Sequence, residues 1–148
     1  MKYLEDFQVG QVFEFGSYKV TQEEILEFAA KYDPQPFHID PQAAKDSIFG
    51  GLIASGWHTC SIFMRLLVDN FLNEPGNLGS PGIDQVRWHV PVRPGDTLSV
   101  RLTIVEITPS RSKPQRGTMT YLQEVFNQNR VLVMSMHGMS MYNRRPQG

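Results

Sequence analysis

The chain has 148 residues, with 14 Lys and Arg against 15 Asp and Glu, and a single Cys. This length fits one domain, residues 1–148, which can bury a core without disulfides. One Cys excludes an intrachain disulfide and a Cys-rich zinc site. With a formal net charge of -1, the chain lacks the overall positive electrostatic potential that attracts DNA or RNA. Its content of 41% hydrophobic residues argues against disorder.

Targeting signals are not evident in the sequence. The first ten residues carry charges and no apolar segment of the kind found in secretory signals. The longest uncharged run, residues 47–64, is interrupted by glycines and polar residues, which makes it a poor membrane span. We therefore expect a soluble cytoplasmic protein that neither enters a membrane nor binds nucleic acid.

The first predicted helix covers residues 22–32. Thr21 and Glu24 have the spacing of a capping box, in which each side chain accepts a backbone N–H. Pro34 ends the helix because the residue before a proline is driven out of helical geometry.

Two further helical segments follow. A short turn over residues 41–45 is predicted, with Asp40 as its cap and a proline at its first position. Residues 56–72 are apolar around most of the helical circumference, and a helix of this kind is buried.

Residues 98–104 alternate between apolar and polar side chains, residues 83–92 have apolar side chains on one face, and residues 118–126 and 131–141 flank a hairpin loop. We expect strands over residues 12–15, 17–20, 83–92, 98–104, 118–126 and 131–141. The sum is an α+β fold, an antiparallel sheet of about five strands wrapped around one long buried central helix. A sheet of this kind leaves an open edge, so we expect a homo-oligomer, with a twofold dimer as the default.

The segment with the clearest chemistry lies between the two main helices. Asp33 and His38 are titratable groups in a proline-rich loop, and a carboxylate beside an imidazole can move protons near neutral pH. Gly56 stands at the predicted start of the buried helix, where free N–H groups can stabilise an oxyanion. Together these groups are suited to adding water across a double bond conjugated to a carbonyl.

Structural roles are the alternatives. Asp33 could merely cap a turn, and Gly56 could be required for tight packing. His38 could pair with Asp40 or bind a metal, although no third ligand is evident and we expect no metal site. Four other residues are expected to be structural: His58, His89, His137 and Cys60.

Three motifs occur in a characteristic order. They are Asp33-x-x-Pro36-x-His38-x-Asp40, Phe49-Gly50-x-x-Ile53-Ala54-x-Gly56 and Pro91-Val92-Arg93-Pro94-Gly95-Asp96-Thr97-Leu98. With Phe7-x-Val9-Gly10 near the start, nearly the whole chain resembles the MaoC-like dehydratase family, which includes R-specific enoyl-CoA hydratases. The resemblance implies a hotdog fold, a homodimer or higher oligomer with active sites at the subunit interface, and an acyl-CoA substrate.

The resemblance also implies roles for individual residues. Asp33 and His38 would activate water for attack at C3 and deliver a proton to C2, while the N–H of Gly56 polarises the thioester carbonyl. The residues expected to bind substrate are Phe37, Ala54, Ser55, Trp57 and Arg111. Coenzyme A enters as part of the substrate, and no separate cofactor is expected.

Arg111 belongs to a basic loop over residues 108–117 that has no acidic residue. Arginine suits phosphate recognition, so this loop could meet the phosphates of coenzyme A. A solvated loop without a ligand is the alternative.

The chain departs from the common family pattern at a few positions. Gln35 replaces the usual Asn and Ser55 replaces a frequent His, while Trp57 is bulky and Met64 stands where some hydratases have Ser. Two other functions stay open. A hotdog thioesterase would release free thiol without loss of the enoyl absorbance, and a non-catalytic acyl-binding module would bind CoA esters without turnover.

Overall fold

In a computed structural model that describes residues 1–147, one strand is followed by four helices and then by four further strands. The strands are β1 Val12–Lys19, β2 Ile83–Trp88, β3 Thr97–Pro109, β4 Arg116–Phe126 and β5 Leu132–Asn143. The helices are α1 Gln22–Tyr32, α2 Pro36–Ile39, α3 Pro41–Lys45 and α4 Gly56–Leu67, with a 3-10 turn at Leu4–Asp6 and a π-helical turn at Val68–Leu72.

The five strands form one antiparallel sheet in the order β1-β3-β4-β5-β2. Buried and partly exposed side chains alternate strictly along β3 from Thr97 to Ile104 and along β4, so one face of the sheet is buried. The buried face of α4, which includes Phe63 and Leu66, belongs to the same apolar core. This is the predicted α+β architecture, with the sheet wrapped around the helix and β2 at one edge.

The predicted boundaries of α1 and α3 are confirmed. Thr21 caps α1 by accepting from the N–H of Glu24 at 3.2 Å, and Asp40 caps α3. The second half of the predicted capping box is wrong, because the Glu24 carboxylate instead accepts from Tyr18 and pairs with His58.

One helix was not expected. Pro36 begins α2, a single turn that carries His38, in the segment predicted to be a loop. Proline is favourable at the first helical position because its missing N–H has no partner there anyway.

The central helix α4 begins at Gly56 as predicted but becomes π-helical after Leu67. The predicted burial is found on one side of the helix, which carries its buried residues. The sheet covers one side, and a strip of apolar side chains on the other side is exposed: Trp57, Met64 and Val68.

Two strand predictions also change. The two early strands are one, β1, which bends at Gly16, where φ is +91° and a Cβ would lie 3.0 Å from the side chain of Leu66. β2 ends at Trp88 and does not reach residue 92, because the chain leaves the sheet and the Val92 carbonyl accepts from Ala54 N–H at 2.8 Å.

Within residues 1–147, no helix combines the length and the apolar character needed to cross a membrane.

Candidate functional site

Asp33 lies at the C-terminal end of α1. Its backbone N–H donates to the Ala29 carbonyl at 2.8 Å, so it is the C-cap residue, and Pro34 prevents a further helical turn. The side chain is 18% exposed and turns toward α2 and the start of α4. The backbone of Asp33 therefore ends α1, as the structural alternative proposed, while its carboxylate makes separate contacts with other residues.

His38 is buried on α2 and has a defined tautomer. Its Nδ1 lies 2.8 Å from the carbonyl oxygen of Ile53. A carbonyl can only accept, so Nδ1 carries the proton in the neutral ring and Nε2 has a free lone pair. Nε2 lies 3.4 Å from Asp33 Oδ2. Two acceptors at this separation can share one proton or hold one water molecule that donates to both.

Asp40 is not the partner of His38. Its Oδ1 accepts from the backbone N–H groups of Gln42 and Ala43, so the Asp40 carboxylate caps α3. In the part of the chain that the structure describes, no three His, Cys, Asp or Glu side chains are grouped as metal ligands.

Two side chains donate hydrogen bonds to the Asp33 carboxylate. Ser55 Oγ lies 2.7 Å from Oδ2, and Gln35 Nε2 lies 2.7 Å from Oδ1. Burial by itself would raise the pKa of Asp33, but the bonds from Ser55 and Gln35, with the nearby imidazole of His38, outweigh it and hold the pKa below its ordinary value. The carboxylate is therefore charged at neutral pH. Ser55 and Gln35, which donate these bonds, stand at two of the positions where the sequence departs from the common family pattern.

The contact between Ser55 and Asp33 has a consequence for α4. Ser55 is the N-cap residue, a position at which serine commonly accepts a bond from the helix, but its side chain makes no capping bond here. The N–H groups of Gly56 and Trp57 have no intrahelical partner and are available to an acceptor, whereas that of His58 donates to the Ser55 carbonyl at 3.0 Å. The positive end of the helix dipole lies at the same place.

Trp88 packs directly on this helix start. Its indole Nε1 donates to the carbonyl of Gly56 at 3.0 Å, across 32 residues of sequence. A Cβ at Gly56 would lie 2.5 Å from Trp88 Cε2. Glycine is therefore required at position 56 for close approach to the indole ring.

His38 and Gly56 line the same cavity, whose volume is about 310 Å³. Asp33 is not part of its wall and lies behind His38, within reach of Nε2. The wall is mostly apolar, and besides His38 and Gly56 it includes Phe49, Thr59, Trp88, His89, Val90 and Val133. The cavity thus combines His38, one member of the proton-transfer pair, with a helix N-terminus and apolar walls.

Only some of the residues expected to bind substrate reach this cavity. Ala54 lines it, and Ser55 acts on Asp33. Phe37 lies between His38 and Phe49 in edge-to-face contact with both rings and supports the wall from behind. Trp57 is 63% exposed and touches Trp88 edge-on, outside the cavity.

Arg111 lies far from the cavity within one chain. It belongs to an exposed loop of residues 110–115 after β3, whereas the cavity adjoins the segment just before β3. Thirteen residues of strand separate the two ends, about 40 Å at roughly 3.3 Å per residue. The contact of Arg111 with coenzyme A phosphates stays a prediction.

Sequence reasoning missed Trp88 and His89. Both were assigned to a strand, and His89 was expected to be structural; it lies instead beyond the end of β2 and lines the cavity, with Nε2 2.8 Å from Ser135 Oγ. Pro91, which cannot donate to a sheet, was the available signal that the strand ends early.

The expectations for two residues on α4 are confirmed. His58 is buried, stacks on Phe28 at 4.7 Å and pairs with Glu24 at 2.8 Å, away from the cavity that contains His38. Cys60 packs as a half-buried side chain, and burial raises the pKa of its thiol, which disfavours the nucleophilic thiolate.

Comparison with known proteins gives a consistent result. The family model described as "MaoC like domain" matches residues 6–126. The crystal structure of a MaoC-like dehydratase from Rhodospirillum rubrum is 42% identical, with a TM-score of 0.91, and covers 99% of this chain and 100% of that one. The R-hydratase PhaJ1 from Pseudomonas aeruginosa is 26% identical, with a TM-score of 0.75, over 97% of this chain and 86% of that one.

A curated relative is the 3-hydroxybutyryl-CoA dehydratase of Methylorubrum extorquens, 29% identical over 113 residues, which are 75% of this chain and 69% of that protein. A Mycobacterium tuberculosis protein with a double hotdog fold is 18% identical, has a TM-score of 0.81 and covers 99% of this chain and 46% of that one. At this identity the likeness concerns the fold alone. The sheet wrapped around α4 is therefore the hotdog fold, as expected.

Proposed function

Since this chain belongs to the MaoC-like dehydratase family, we propose that it is a hydro-lyase that adds water to, or removes it from, the C2–C3 bond of an acyl-CoA thioester. The observation that carries the proposal is the 3.4 Å separation between His38 Nε2 and Asp33 Oδ2 beside a cavity that Gly56 also lines. The names of relatives, a 3-hydroxybutyryl-CoA dehydratase and an R-hydratase, support the same reaction class.

In the hydration direction, a water molecule held between Asp33 and His38 gives up a proton to one of them as its oxygen bonds to C3. The electron pair of the C2–C3 double bond moves toward the thioester carbonyl, whose oxygen gains negative charge. The N–H of Gly56 and the helix dipole stabilise that charge. C2 then takes a proton from the pair, which returns to its starting state.

Dehydration is the reverse of these steps. The pair removes a proton from C2, and the hydroxyl group leaves C3 as water after it is protonated. Asp33 is suited to the role of base because its lowered pKa keeps it ionised, and the Nε2 lone pair of His38 lies beside it as a second proton acceptor. Coenzyme A enters as part of the substrate.

The proposal is tested by incubating the purified chain with trans-2-butenoyl-CoA. We expect loss of the enoyl absorbance and appearance of 3-hydroxybutyryl-CoA, with no free thiol. Release of free thiol with the enoyl absorbance unchanged would instead indicate a thioesterase. Tight binding of CoA esters without turnover, over a panel of acyl groups, would indicate a non-catalytic acyl-binding module.

We also propose that the active form is a homodimer. β2 is an edge strand, and exposed apolar side chains cluster near it and on the open side of α4: Trp57, Met64, Val68, Ile83, Trp88 and Val90. Open edges and large apolar patches are usually covered by a partner. Light scattering should give twice the chain mass of 16.9 kDa, and a mass of one chain would contradict the proposal.

Replacing Ser55 by alanine is expected to move the acidic limb of the pH profile of kcat/KM to higher pH. Ser55 donates to the Asp33 carboxylate and thereby favours its charged form, so loss of this bond raises the Asp33 pKa. A higher pKa means that protonation disables the base at a higher pH. The measurement is kcat/KM for hydration between about pH 3 and 8, a range that spans the ordinary carboxylate and histidine pKa values.

The matched control is Ser61→Ala on the same helix. Ser61 Oγ donates to its own helix backbone, to the carbonyl of Trp57 at 2.9 Å, and has no contact with Asp33. Its pH profile should coincide with that of the wild type. An acidic limb that does not move in Ser55→Ala would contradict the assignment of that limb to Asp33.

A further inference from the structure

His58 lies in the first turn of α4, between two side chains of α1. Its Nε2 lies 2.8 Å from Oε1 of Glu24, and its ring stacks on Phe28 with centroids 4.7 Å apart and planes 9° apart. Glu24 and Phe28 are four residues apart, so both lie on the same face of α1. The imidazole is 3% exposed and fills the contact between the two helices.

Packing alone does not explain this imidazole. An ionised carboxylate can only accept, so Nε2 carries the proton and donates to Glu24, which leaves Nδ1 with a lone pair. In the part of the chain that the structure describes, Nδ1 is buried without a hydrogen-bond partner. A buried polar atom without a partner costs stability, and a leucine would fill the space without that cost. The bond to Glu24 is what distinguishes histidine from an apolar residue here.

Glu24 gives up a local bond to make this contact. The capping-box spacing would turn its side chain back to the N–H of Thr21. Instead the carboxylate accepts from His58 and from the hydroxyl of Tyr18 on β1, at 2.8 and 2.9 Å from the latter. Hydrogen bonds are directional, whereas the hydrophobic packing of α1 is not. The Glu24–His58 bond therefore fixes where α1 lies on α4.

A second polar bond joins the same two helices. Ser55 Oγ, directly before α4, donates to Asp33 Oδ2 at 2.7 Å at the far end of α1. Glu24 and Asp33 are nine residues apart, about 14 Å at roughly 1.5 Å per residue. Two bonds at this separation fix both the position and the rotation of α1. A shift of α1 at Glu24 therefore moves the carboxylate of Asp33 relative to Ser55.

Resting on the proposed function, we propose that Glu24 and His58 are positioning residues of the reaction. Neither belongs to the wall of the cavity that His38 lines. Their bond holds α1 at the place on α4 where Ser55 reaches the Asp33 carboxylate, which lies 3.4 Å from His38 Nε2. Loss of the bond lets α1 shift and weakens the contact with Ser55.

The test is the ratio of kcat/KM at about pH 4 to that at about pH 7, for hydration of trans-2-butenoyl-CoA, in the wild type and in His58→Leu. Leucine fills the space but has no donor for Glu24. A weaker bond from Ser55 raises the Asp33 pKa, so the base is lost at a higher pH. A hydrogen bond to a charged group is worth about 10-fold or more, so we expect the ratio to fall at least about threefold.

The double variant Ser55→Ala/His58→Leu shows whether this effect passes through Ser55. Two changes that act through one contact are not additive. The double variant should therefore have the same pH ratio as Ser55→Ala alone. A further fall in the double variant would show that His58 acts by another route, and the inference would be wrong.

Two variants on α4 separate positioning from stability. His58→Gln keeps an N–H donor for Glu24 and should restore the wild-type pH ratio at least in part. Phe63→Leu is the matched control, since Phe63 is 2% exposed and packs in the core. It should lower the unfolding temperature and leave the pH ratio unchanged. If His58→Leu behaves in the same way as Phe63→Leu, His58 is only structural and the inference is wrong.

Glu24→Ala cuts the bond from the other helix and serves if His58→Leu does not fold. The Glu24 side chain is 31% exposed, so its removal opens no cavity in the core. The titratable or charged side chains that line the groove beside His58 are Tyr18, Glu24, Glu27, Lys31, Tyr32 and Arg65. Removing the negative charge of Glu24 would by itself lower the Asp33 pKa, so a fall in the pH ratio reflects the lost bond.

An unchanged pH ratio in Glu24→Ala overturns the inference, while hydration by the wild type leaves the proposed function standing. Absence of hydration by the wild type would instead contradict the proposed function itself.

Discussion

Asp33→Asn and His38→Ala are each expected to lower kcat for hydration of trans-2-butenoyl-CoA by at least about 10²-fold, the lower end for loss of a general acid–base group. Asparagine cannot accept a proton at neutral pH, and alanine removes the Nε2 lone pair that faces Asp33. KM should change less than kcat, because neither group is needed to hold the coenzyme A portion. Steady-state kinetics with the purified variants measure the effect.

Because the two groups share one proton-transfer step, the double variant should be far less impaired than the product of the two single losses. Asp40→Asn is the matched control. Asp40 lies two residues beyond His38 and caps α3, a position where asparagine serves equally well. Its activity should stay near that of the wild type. Full activity in both single variants would exclude the proposed mechanism.

The second large effect is expected from Gly56→Pro, compared with Gly56→Ala. Proline removes the N–H that we assign to the thioester oxygen, and loss of one oxyanion donor costs about 10²- to 10³-fold in kcat. The backbone tolerates it: Gly56 is the first residue of α4, and Ser55 before it has ψ 142°, within the range required ahead of a proline.

Gly56→Ala controls for added bulk. Both variants place a Cβ 2.5 Å from Trp88 Cε2 and displace the indole, but alanine keeps the N–H. The kcat of Gly56→Pro should therefore fall about 10²-fold below that of Gly56→Ala. Circular dichroism establishes that both are folded. Equal kcat values for the two would contradict the role of the Gly56 N–H.

Local patterns predicted most of the secondary structure. Thr21 and Pro34 mark the two ends of α1, and Asp40 before Pro41 marks the start of α3, because capping and proline geometry depend on neighbours a few residues away. Apolar–polar alternation located β3, and the hairpin loop of residues 127–130 located β4 and β5. The sequence pattern failed at the end of β2, where a long-range bond from Ala54 to Val92 competes with sheet pairing.

The proposed catalytic pair was found from sequence, but its environment was not. Asp33 and His38 lie five residues apart, and their residue types in motif order were sufficient to select them. The tautomer of His38 and the pKa of Asp33 depend on residues that are distant in the chain. Ile53, 15 residues from His38, sets the imidazole tautomer, and Ser55, 22 residues from Asp33, lowers the carboxylate pKa.

The sequence by itself determined most of the elements and their order, and it selected the two residues proposed to move a proton, since these depend on short-range backbone preferences and on residue chemistry. Only the tertiary structure decided what surrounds them. It placed the Trp88 indole on Gly56 and left Arg111 beyond the far end of β3 from the cavity within one chain. These positions follow from how one sheet wraps around one helix, which no local spacing encodes.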